Sequence, residues 1–298
     1  SAGKGKALKH RPRLENLLRR WEVPHDLYVT GSEEDLKGLT RQCLKQYSAI
    51  AGAGGDSTFQ IMIEEVMRAG ARVKFGLIGL GSSNDIPKEF DLEGLERACS
   101  ALKKGRTRRV DLGCLEYQGT VLRHFLGQVT IGLGVAVNRY IKELSGKRPR
   151  LAKSQTLAGF LAVIHSFRQK EIPLRLTVES EEGKRSGEYL VADFSNIRYW
   201  ATGKILNPAA RPDDGRLDGC LISPCSLLRL FRLAILARTG RHADVREVSF
   251  LRGKTLFVSS EQAFALQLDG EIVGGSAEPA LFREIRIRAL PAALDLIC

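Results

Sequence analysis

Long apolar segments, aromatic residues and closely paired cysteines are scarce in this sequence of 298 residues. The longest apolar runs, such as Leu157 to Ile164, are far shorter than the ~20 residues of a membrane-spanning helix. Aromatic residues make up 7% of the chain, and the six cysteines lack the spacing of a zinc site. The first twenty residues contain no apolar signal-peptide segment. We therefore expect a cytoplasmic protein with free thiols, and neither a membrane-spanning nor a zinc-finger protein.

Basic residues are in excess, with 46 Lys and Arg against 34 Asp and Glu, so that the net charge is +12. The basic residues cluster at 4–20, 103–109, 139–153 and 229–254. Such clusters suit nucleic acid, an anionic membrane surface or a phosphorylated ligand. A solvated surface that keeps the protein soluble explains them equally well. Nucleic acid is the least favoured partner, because no known nucleic-acid-binding motif occurs.

The first hundred residues alternate between strand and helix patterns. Strands are predicted at 25–30, 47–53 and 74–79, and helices at 7–20, from residue 32, at 56–68 and at 91–104. This alternation predicts a parallel sheet with helices on both faces. The ligands of such sheets bind at the carboxyl ends of the strands.

From about residue 112 the pattern changes to a period of two residues. Strands are predicted at 121–130, 174–179, 189–194, 255–259, 264–268 and 285–289, with helices near 155–168 and 226–238. Short alternating strands of this kind predict a second, mainly antiparallel domain. No Pro/Ser-rich linker separates the two parts.

Two glycine-rich loops follow predicted strands, at 52–58 (GAGGDST) and 79–85 (GLGSSND). Glycine lets backbone N–H groups approach an anion, and the following helix N-terminus adds partial positive charge. Neither loop is a Walker A motif or a dinucleotide fingerprint. A single glycine cluster of this kind is better explained by an ordinary strand-to-helix turn. Both together, at neighbouring strand ends, predict a site for nucleotide phosphates.

Three further segments are candidates for chemistry, each with an ordinary alternative. The Gly/Lys segment 1–6 suits a phosphate group, or is a frayed terminus. The acidic segment 212–219 (PDDGRLDG) suits a hard cation such as Mg²⁺, or forms common Asp-Gly turns. The segment 268–271 (LDGE) reads as a hairpin turn. Alternatively, its carboxylate accepts the proton of a substrate hydroxyl during phosphoryl transfer.

Taken in order, these motifs resemble the diacylglycerol kinase catalytic-domain family, which includes soluble bacterial lipid kinases and the sphingosine and ceramide kinases. The resemblance is carried by residues 54–58, 81–85, 110–113, 213–218 and 268–271. It implies an α/β fold of two domains, a Rossmann-like α/β nucleotide-binding domain and a mainly antiparallel β-sandwich domain, as in NAD kinase and diacylglycerol kinase.

The resemblance also implies domain limits. The nucleotide-binding domain is expected to comprise 1–111 plus 281–298, and the sandwich 112–280. Residues 1–6 resemble the end of a family motif, so that the first strand of the family is expected to precede this sequence.

The family implies a role for individual residues. Asp269 is expected to be the general base, with Glu271 beside it. Asp214 and Asp218 are expected to bind a structural Mg²⁺ ion, and Asp111 to join an acidic network. The residues expected to bind ATP are Gly3, Gly54, Gly55, Asp56, Ser57, Thr58, Gly81, Ser82, Ser83, Asn84 and Asp85.

Two positions depart from the family pattern. Ser57 stands where the family has Gly, and Gln60-Ile61 stand where it has an Asn-Glu pair. If the position of Ser57 requires a positive φ, serine costs about 1 kcal/mol or more. These departures keep a catalytically weakened nucleotide- or lipid-binding homologue open as an alternative function.

The leading prediction is an ATP- and Mg²⁺-dependent lipid kinase that phosphorylates a lipid hydroxyl of the diacylglycerol or sphingosine type. It is expected in the cytoplasm, in transient contact with an anionic membrane surface. A homodimer is a possible assembly, and no nucleic-acid partner is expected. A soluble-substrate kinase such as NAD kinase is the enzyme alternative, because it shares the Gly-Gly-Asp loop.

Overall fold

A short parallel sheet organises the amino-terminal part of the chain. The computed structural model describes residues 6–81, 83–147, 155–168 and 172–298. Strands β1 (Ala49–Gly54) and β2 (Lys74–Gly79) pair in parallel, and the end of the last strand, β16 (Phe282–Ile297), lies parallel on the other side of β2. Gly54 and Gly79 are register partners, so the carboxyl ends of β1 and β2 lie side by side.

Helices cover both faces of this parallel sheet, as the alternation predicts. The described helices of this part are α1 (Lys6–Lys9), α2 (Arg11–Arg20), α3 (Glu33–Cys43), α4 (Asp56–Ala69), α5 (Asp85–Glu89) and α6 (Leu95–Lys104). Phe75 and Leu77 of β2 pack with the apolar side chains of α4, whereas Ile78 packs with α2 and α6. Ser32 caps α3 by accepting a hydrogen bond from the Asp35 N–H at 3.1 Å.

The strand predicted at 25–30 is wrong, because this segment forms no strand. A strand needs a neighbouring backbone with which to pair. Here side chains hold the segment instead: the Tyr47 hydroxyl donates to Asp26 at 2.6 Å and lies 3.0 Å from the Tyr28 hydroxyl. Tyr28 and Val29 are exposed, so the segment lies on the surface.

Two mainly antiparallel sheets form the rest of the molecule. The remaining strands are β3 (Thr107–Tyr117), β4 (Thr120–Phe125), β5 (Gln128–Gly132), β6 (Leu174–Ser180), β7 (Gly183–Tyr189), β8 (Val191–Ser195), β9 (Tyr199–Trp200), β10 (Lys204–Ile205), β11 (Leu217–Ile222), β12 (Val248–Gly253), β13 (Thr255–Phe264), β14 (Leu266–Leu268) and β15 (Glu271–Ile272). One sheet has the order β12-β11-β8-β5-β14-β15, and the other continues from β16 through β13 and β6 to β7. Apolar side chains of both sheets share one core, which confirms the predicted sandwich.

Strand β16 joins the two domains. Its first half pairs with β13 in the sandwich, and its end pairs with β2 in the parallel sheet. A bulge between Leu290 and Leu294, where Ala292 has φ 50°, separates the two parts of its pairing with β3. Both β3 and β16 are long and continuous, and the domain limits near 111 and 281 stay a prediction.

Three helices pack outside the six-stranded sheet: α7 (Leu133–Lys147), α8 (Gln155–Phe167) and α9 (Leu227–Leu236). Within the described part of the chain, no helix is long and apolar enough to cross a membrane. The predicted strand 121–130 is divided into β4 and β5 by a turn at Leu126 and Gly127. This turn contacts the site described next.

Candidate active site

The first glycine loop turns directly from β1 into α4. Gly54 ends the strand, Gly55 precedes the helix, and Asp56, Ser57 and Thr58 form its first turn. A Cβ atom added to Gly54 would lie 2.3 Å from Thr58 Oγ1, so the turn requires glycine there. Ser57 lies within the helix and is absent from the residues with positive φ. The strain expected for serine at this position therefore does not arise.

The second glycine loop is closed by an asparagine and contacts the first. Asn84, with φ 54°, accepts a hydrogen bond from the Gly81 N–H at 2.9 Å and donates one to the Gly81 carbonyl at 3.1 Å. A Cβ atom on Gly81 would lie 2.6 Å from the Gly55 Cα atom. The two loops thus meet glycine to glycine. Gly3 and Ser82, which were also predicted to bind ATP, lie outside the described residues.

Asp85 connects this loop to the second domain. Its buried carboxylate accepts hydrogen bonds from the N–H groups of Gly203 (2.6 Å) and Thr202 (3.1 Å), in the turn between β9 and β10. The Ser83 hydroxyl also donates to Asp85 and accepts from the Thr202 N–H at 3.0 Å. Sequence reasoning missed this turn, and its Thr-Gly pair is too common a signal to have revealed it.

Asp269 lies in the tight turn between β14 and β15. Asp269 and Gly270 have φ values of 44° and 83°, as a two-residue hairpin turn with two left-handed residues requires. The Asp269 carboxylate accepts hydrogen bonds from the N–H groups of Gln128 (2.7 Å) and Leu126 (3.3 Å). These bonds hold the backbone at the point where the predicted strand 121–130 is divided, with Leu126 between β4 and β5 and Gln128 at the start of β5.

Gly127 makes the close approach of Asp269 sterically allowed. A Cβ atom on Gly127 would lie 2.4 Å from Asp269 Oδ1. Burial raises the pKa of Asp269 to about 6, and the N–H groups of residues 126 to 128 act in the opposite direction. Sequence reasoning did not identify Gly127, because nothing local to it signals a contact with a residue so distant in the chain.

The Asp56 carboxylate lies close enough to two others, Asp85 and Asp269, to be repelled by their charges. Burial, together with the charges of Asp85 and Asp269, raises the pKa of Asp56 to about 7. The structure therefore brings together residues of three predicted motifs at the carboxyl ends of β1 and β2. Such a concentration of negative charge fits a bound cation.

A Mg²⁺ ion at this cluster would need oxygen ligands from a bound substrate in addition to the carboxylates. Among the residues that the structure describes, no group of three or more His, Cys, Asp or Glu side chains is arranged to hold a metal ion. Mg²⁺ in phosphate-transferring sites is commonly bound by one or two carboxylates together with substrate phosphates and water. The Asp56 carboxylate therefore fits a Mg²⁺ ion that arrives with a nucleotide, whereas the Asp85 carboxylate is occupied by the N–H groups of Gly203 and Thr202.

A buried carboxylate that sequence reasoning missed supports this cluster. Asp193 on β8 is fully buried and accepts hydrogen bonds from Thr130 Oγ1 (2.7 Å) and Asn207 Nδ2 (3.0 Å). Burial raises its pKa to about 7, and the charge of Asp269 contributes in the same direction. The sequence signal for this residue is the presence of a carboxylate, Asp193, within the otherwise apolar run Val191 to Phe194.

Asp111 serves as an anchor between loops. Its carboxylate accepts hydrogen bonds from the N–H groups of Gly215 (2.6 Å) and Ala292 (2.7 Å). It thereby holds the loop before β11 against the bulge of β16. Its membership of an acidic network around the nucleotide stays a prediction.

The two carboxylates predicted to bind structural Mg²⁺ face an arginine. Arg252 Nη2 donates to Asp214, and Arg252 Nε lies 3.6 Å from Asp218 Oδ2. Asp214 also accepts a hydrogen bond from the Arg216 N–H at 3.1 Å. Since a guanidinium group already fills the space between the carboxylates, this loop does not fit a divalent cation.

Glu271, predicted beside the general base, points to the surface. Its carboxylate forms an ion pair with Lys142 of α7 at 2.9 Å, and both side chains are partly exposed. The same helix supports the turn through Asn138, whose Nδ2 donates to the Gly270 carbonyl (2.6 Å) and to Gln267 Oε1 (2.8 Å). Helix α7 therefore holds the turn that carries Asp269.

Comparison with known proteins covers nearly the whole chain. The model of the diacylglycerol kinase catalytic domain matches residues 1–115, and the model of the YegS C-terminal NAD kinase beta sandwich-like domain matches 127–298. A Mycobacterium tuberculosis (strain ATCC 25618 / H37Rv) protein named diacylglycerol kinase is 27% identical over 270 residues, which cover 87% of this chain and 84% of the relative. A Staphylococcus haemolyticus diacylglycerol kinase is 25% identical over 275 residues, which cover 90% and 78%.

Solved structures share the fold. A Bacillus anthracis str. Sterne protein superposes with a TM-score of 0.76 at 16% identity, over 100% of this chain and 94% of that chain. A second structure from this organism, titled as a diacylglycerol kinase, gives a TM-score of 0.67 at 15% identity, over 92% and 84%. The two family models match in order, and the second covers more than half of the chain. The chain therefore belongs to the diacylglycerol kinase catalytic-domain family of lipid kinases and is a phosphotransferase with an alcohol acceptor.

Proposed function

We propose that this protein transfers the γ-phosphoryl group of ATP to the hydroxyl group of a lipid of the diacylglycerol or sphingosine type. The observation that carries the proposal is that Asp56, in the first glycine loop, interacts with both Asp269 and Asp85, while the two glycine loops contact each other. The relatives named diacylglycerol kinase support a diacylglycerol-type acceptor over a soluble one.

The chain's own residues divide the work of phosphoryl transfer. The glycine loops and the N-terminus of α4 bind the phosphate groups, because backbone N–H groups there face an anion without obstruction by side chains. The Asp269 carboxylate accepts the proton of the lipid hydroxyl while the hydroxyl oxygen bonds to the γ-phosphorus of ATP. The bond between the γ-phosphorus and the oxygen that leaves with ADP breaks in the same step. Asp56 would help to hold Mg²⁺, which when bound would supply neutralising charge for the phosphoryl oxygens.

The test is phosphoryl transfer from γ-labelled ATP to a panel of lipids presented in mixed micelles. NAD is tested in parallel as a soluble phosphoryl acceptor. Labelled diacylglycerol or sphingosine, but not labelled NAD, is expected. Absence of transfer to every lipid would contradict the proposal, and labelling of NAD would support the alternative of an NAD kinase.

The rate of transfer should depend on pH through Asp269. A carboxylate acts as a base only when it is ionised, and burial raises the pKa of Asp269 to about 6. We therefore expect kcat/KM to be constant above this pH and to fall as the pH decreases through about 6, because kcat/KM reports ionisation in the free enzyme. The measurement is the pH profile of kcat/KM for a lipid acceptor. A profile that is flat down to pH ~4.5, well below the raised pKa, would argue against this role.

Helices α8 and α9 together form an apolar surface that suits a membrane. Phe160 of α8 stacks on Phe231 of α9 with ring centroids 5.0 Å apart. Leu228 and Ile235 of α9 are 82% and 67% exposed, which is unusual for side chains of this size. We infer that this surface, here called the α8–α9 surface, rests on an anionic lipid bilayer.

The charges and the position of this surface support a bilayer as its partner. Helix α9 contains Arg229, which is paired with Glu247, and Arg232, and it contains no acidic residue of its own that would repel anionic headgroups. Helix α7 packs against α8, and Tyr140 stacks on His165 with centroids 4.2 Å apart. Because α7 also holds the turn of Asp269, the α8–α9 surface is connected to this carboxylate through α7. The cytoplasmic location and the homodimer stay predictions.

Charged substitutions on the α8–α9 surface should weaken membrane binding. Burial of a leucine or isoleucine side chain contributes roughly 1.5–3 kcal/mol, so the double variant Leu228→Glu/Ile235→Glu should bind phosphatidylglycerol vesicles at least ~10-fold more weakly. Vesicle co-sedimentation measures the affinity. Leu281→Glu, at a 61% exposed leucine outside these helices, is the control. An equal loss of vesicle affinity in the double variant and in Leu281→Glu, or no loss in the double variant, would contradict membrane binding by the α8–α9 surface.

A further inference from the structure

The loop that resembles a family metal site carries a guanidinium group where the cation is expected. Strands β11 and β12 are antiparallel, and Asp218 and Arg252 are direct register partners. Side chains of such partners lie on the same face of the sheet, so this proximity follows from the pairing itself. Asp214 approaches from the loop that precedes β11 and accepts a hydrogen bond from Arg252 Nη2.

The carboxylates of this loop all have arginine partners. Arg108 donates to Asp213, which also lies 3.5 Å from Arg211 Nε. Arg252 contacts both of the others, Asp214 and Asp218. Each carboxylate of the loop therefore has an arginine as ion-pair partner, and the pair of Asp218 Oδ2 with Arg252 Nε is an ion pair at 3.6 Å without a hydrogen bond.

Asp214 and Asp218 need the positive charge of Arg252 because their carboxylates are largely buried. The Asp218 side chain is 9% exposed and that of Asp214 is 20% exposed. Two carboxylates so close together and so little hydrated need a positive charge between them. Arginine supplies it permanently, because its guanidinium group stays charged at every pH at which proteins fold, and its planar shape suits two carboxylates at once.

We propose that Arg252 replaces a structural metal ion in this loop, so that residues 212–218 reach their folded conformation without a divalent cation. Arginine holds Asp214 and Asp218 together, and the N–H of Gly215 in the same loop reaches Asp111 in β3. The guanidinium group thus stabilises a contact between the sandwich and the strands that lead to the site. This role is independent of the acceptor and of catalytic activity.

The test compares thermal unfolding in EDTA and in millimolar MgCl₂ or CaCl₂, without nucleotide. The midpoint Tm of the wild type should be the same in all three. Arg252→Gln should lower Tm in EDTA by about 4 °C or more, and Mg²⁺ or Ca²⁺ should restore part of the loss, because the carboxylates are then free to bind it. Arg246→Gln, at an arginine 85% exposed beside β12, is the matched control and should leave Tm unchanged.

One added condition and one further variant cover the case in which Arg252→Gln fails to fold in EDTA. Addition of a divalent cation, or the second substitution Asp214→Asn in the same chain, should then restore folding, since each removes the unbalanced negative charge. Failure of both would overturn the proposal. A Tm of the wild type that rises with Mg²⁺ or Ca²⁺, with the rise abolished by Asp214→Asn, would also overturn it. So would equal Tm values for Arg252→Gln and Arg246→Gln in EDTA.

Discussion

Substitution of Asp269 by Asn should decrease the rate of phosphoryl transfer to a lipid hydroxyl by about 10²–10⁴-fold. The amide has nearly the shape of the carboxylate but cannot take up the hydroxyl proton. One amide oxygen still accepts a hydrogen bond from the Gln128 N–H, which the carboxylate accepts at 2.7 Å. We therefore expect a loss of activity with the fold retained, measured as single-turnover transfer alongside Tm.

The control for this variant is Asp244→Asn, at an exposed aspartate in the short 3₁₀ turn Arg241–Asp244. It should leave the rate unchanged. If Asp269→Asn retains more than roughly a tenth of the wild-type rate, Asp269 is not the base, because general-base catalysis typically contributes at least ~10²-fold. A large decrease in the Tm of Asp269→Asn would instead indicate that Asp269 mainly stabilises the turn between β14 and β15.

Substitution of Gly127 by Ala should decrease the same rate by about 10²-fold, although Gly127 has no polar side chain and makes no bond to substrate. The added methyl group would lie 2.4 Å from Asp269 Oδ1, a distance that forces the carboxylate away from its place. Gly127 does not have a positive φ, so alanine is not strained by the backbone there. The effect should therefore appear in kcat rather than in Tm.

Gly146→Ala is the matched control for this variant. Gly146 lies in α7, where an added Cβ atom meets nothing within 4 Å. Alanine at this position should leave kcat unchanged and raise Tm slightly, because alanine favours a helix over glycine. An unchanged kcat in Gly127→Ala would mean that the position of the Asp269 carboxylate tolerates displacement, and would weaken its assignment as the base.

Features that depend on neighbouring residues could be predicted. Strand β2 was placed at 74–79, where it lies in the structure, because its apolar run is bounded by clear turn residues. The capping of α3 by Ser32 and the Asp-Gly turn at 269–270 are likewise local, since each is defined by dihedral angles and hydrogen bonds within four residues.

Features that depend on distant residues were wrong or missing. The pattern at 25–30 is that of a strand, but no neighbouring strand pairs with it. The pattern at 121–130 is continuous, yet a carboxylate about 140 residues away takes its backbone donors at Leu126 and Gln128. Asp193, Gly127 and Arg252 went unnoticed for the same reason, because their partners are remote in sequence.

The sequence by itself determined the two-domain α/β and sandwich organisation, the family, and the order of the motifs that make the site. The change from an α/β part to a mainly antiparallel part follows from periodicity and turn chemistry, which act over short stretches of chain, whereas the sandwich and the family follow from the resemblance of the ordered motifs. Only the tertiary structure decided which carboxylates share one electrostatic environment and which are already neutralised. Asp56 and Asp269 repel each other across the domains, whereas Asp214 and Asp218 are paired with Arg252. Coulomb interactions and burial depend on distance in space, and folding alone sets that distance.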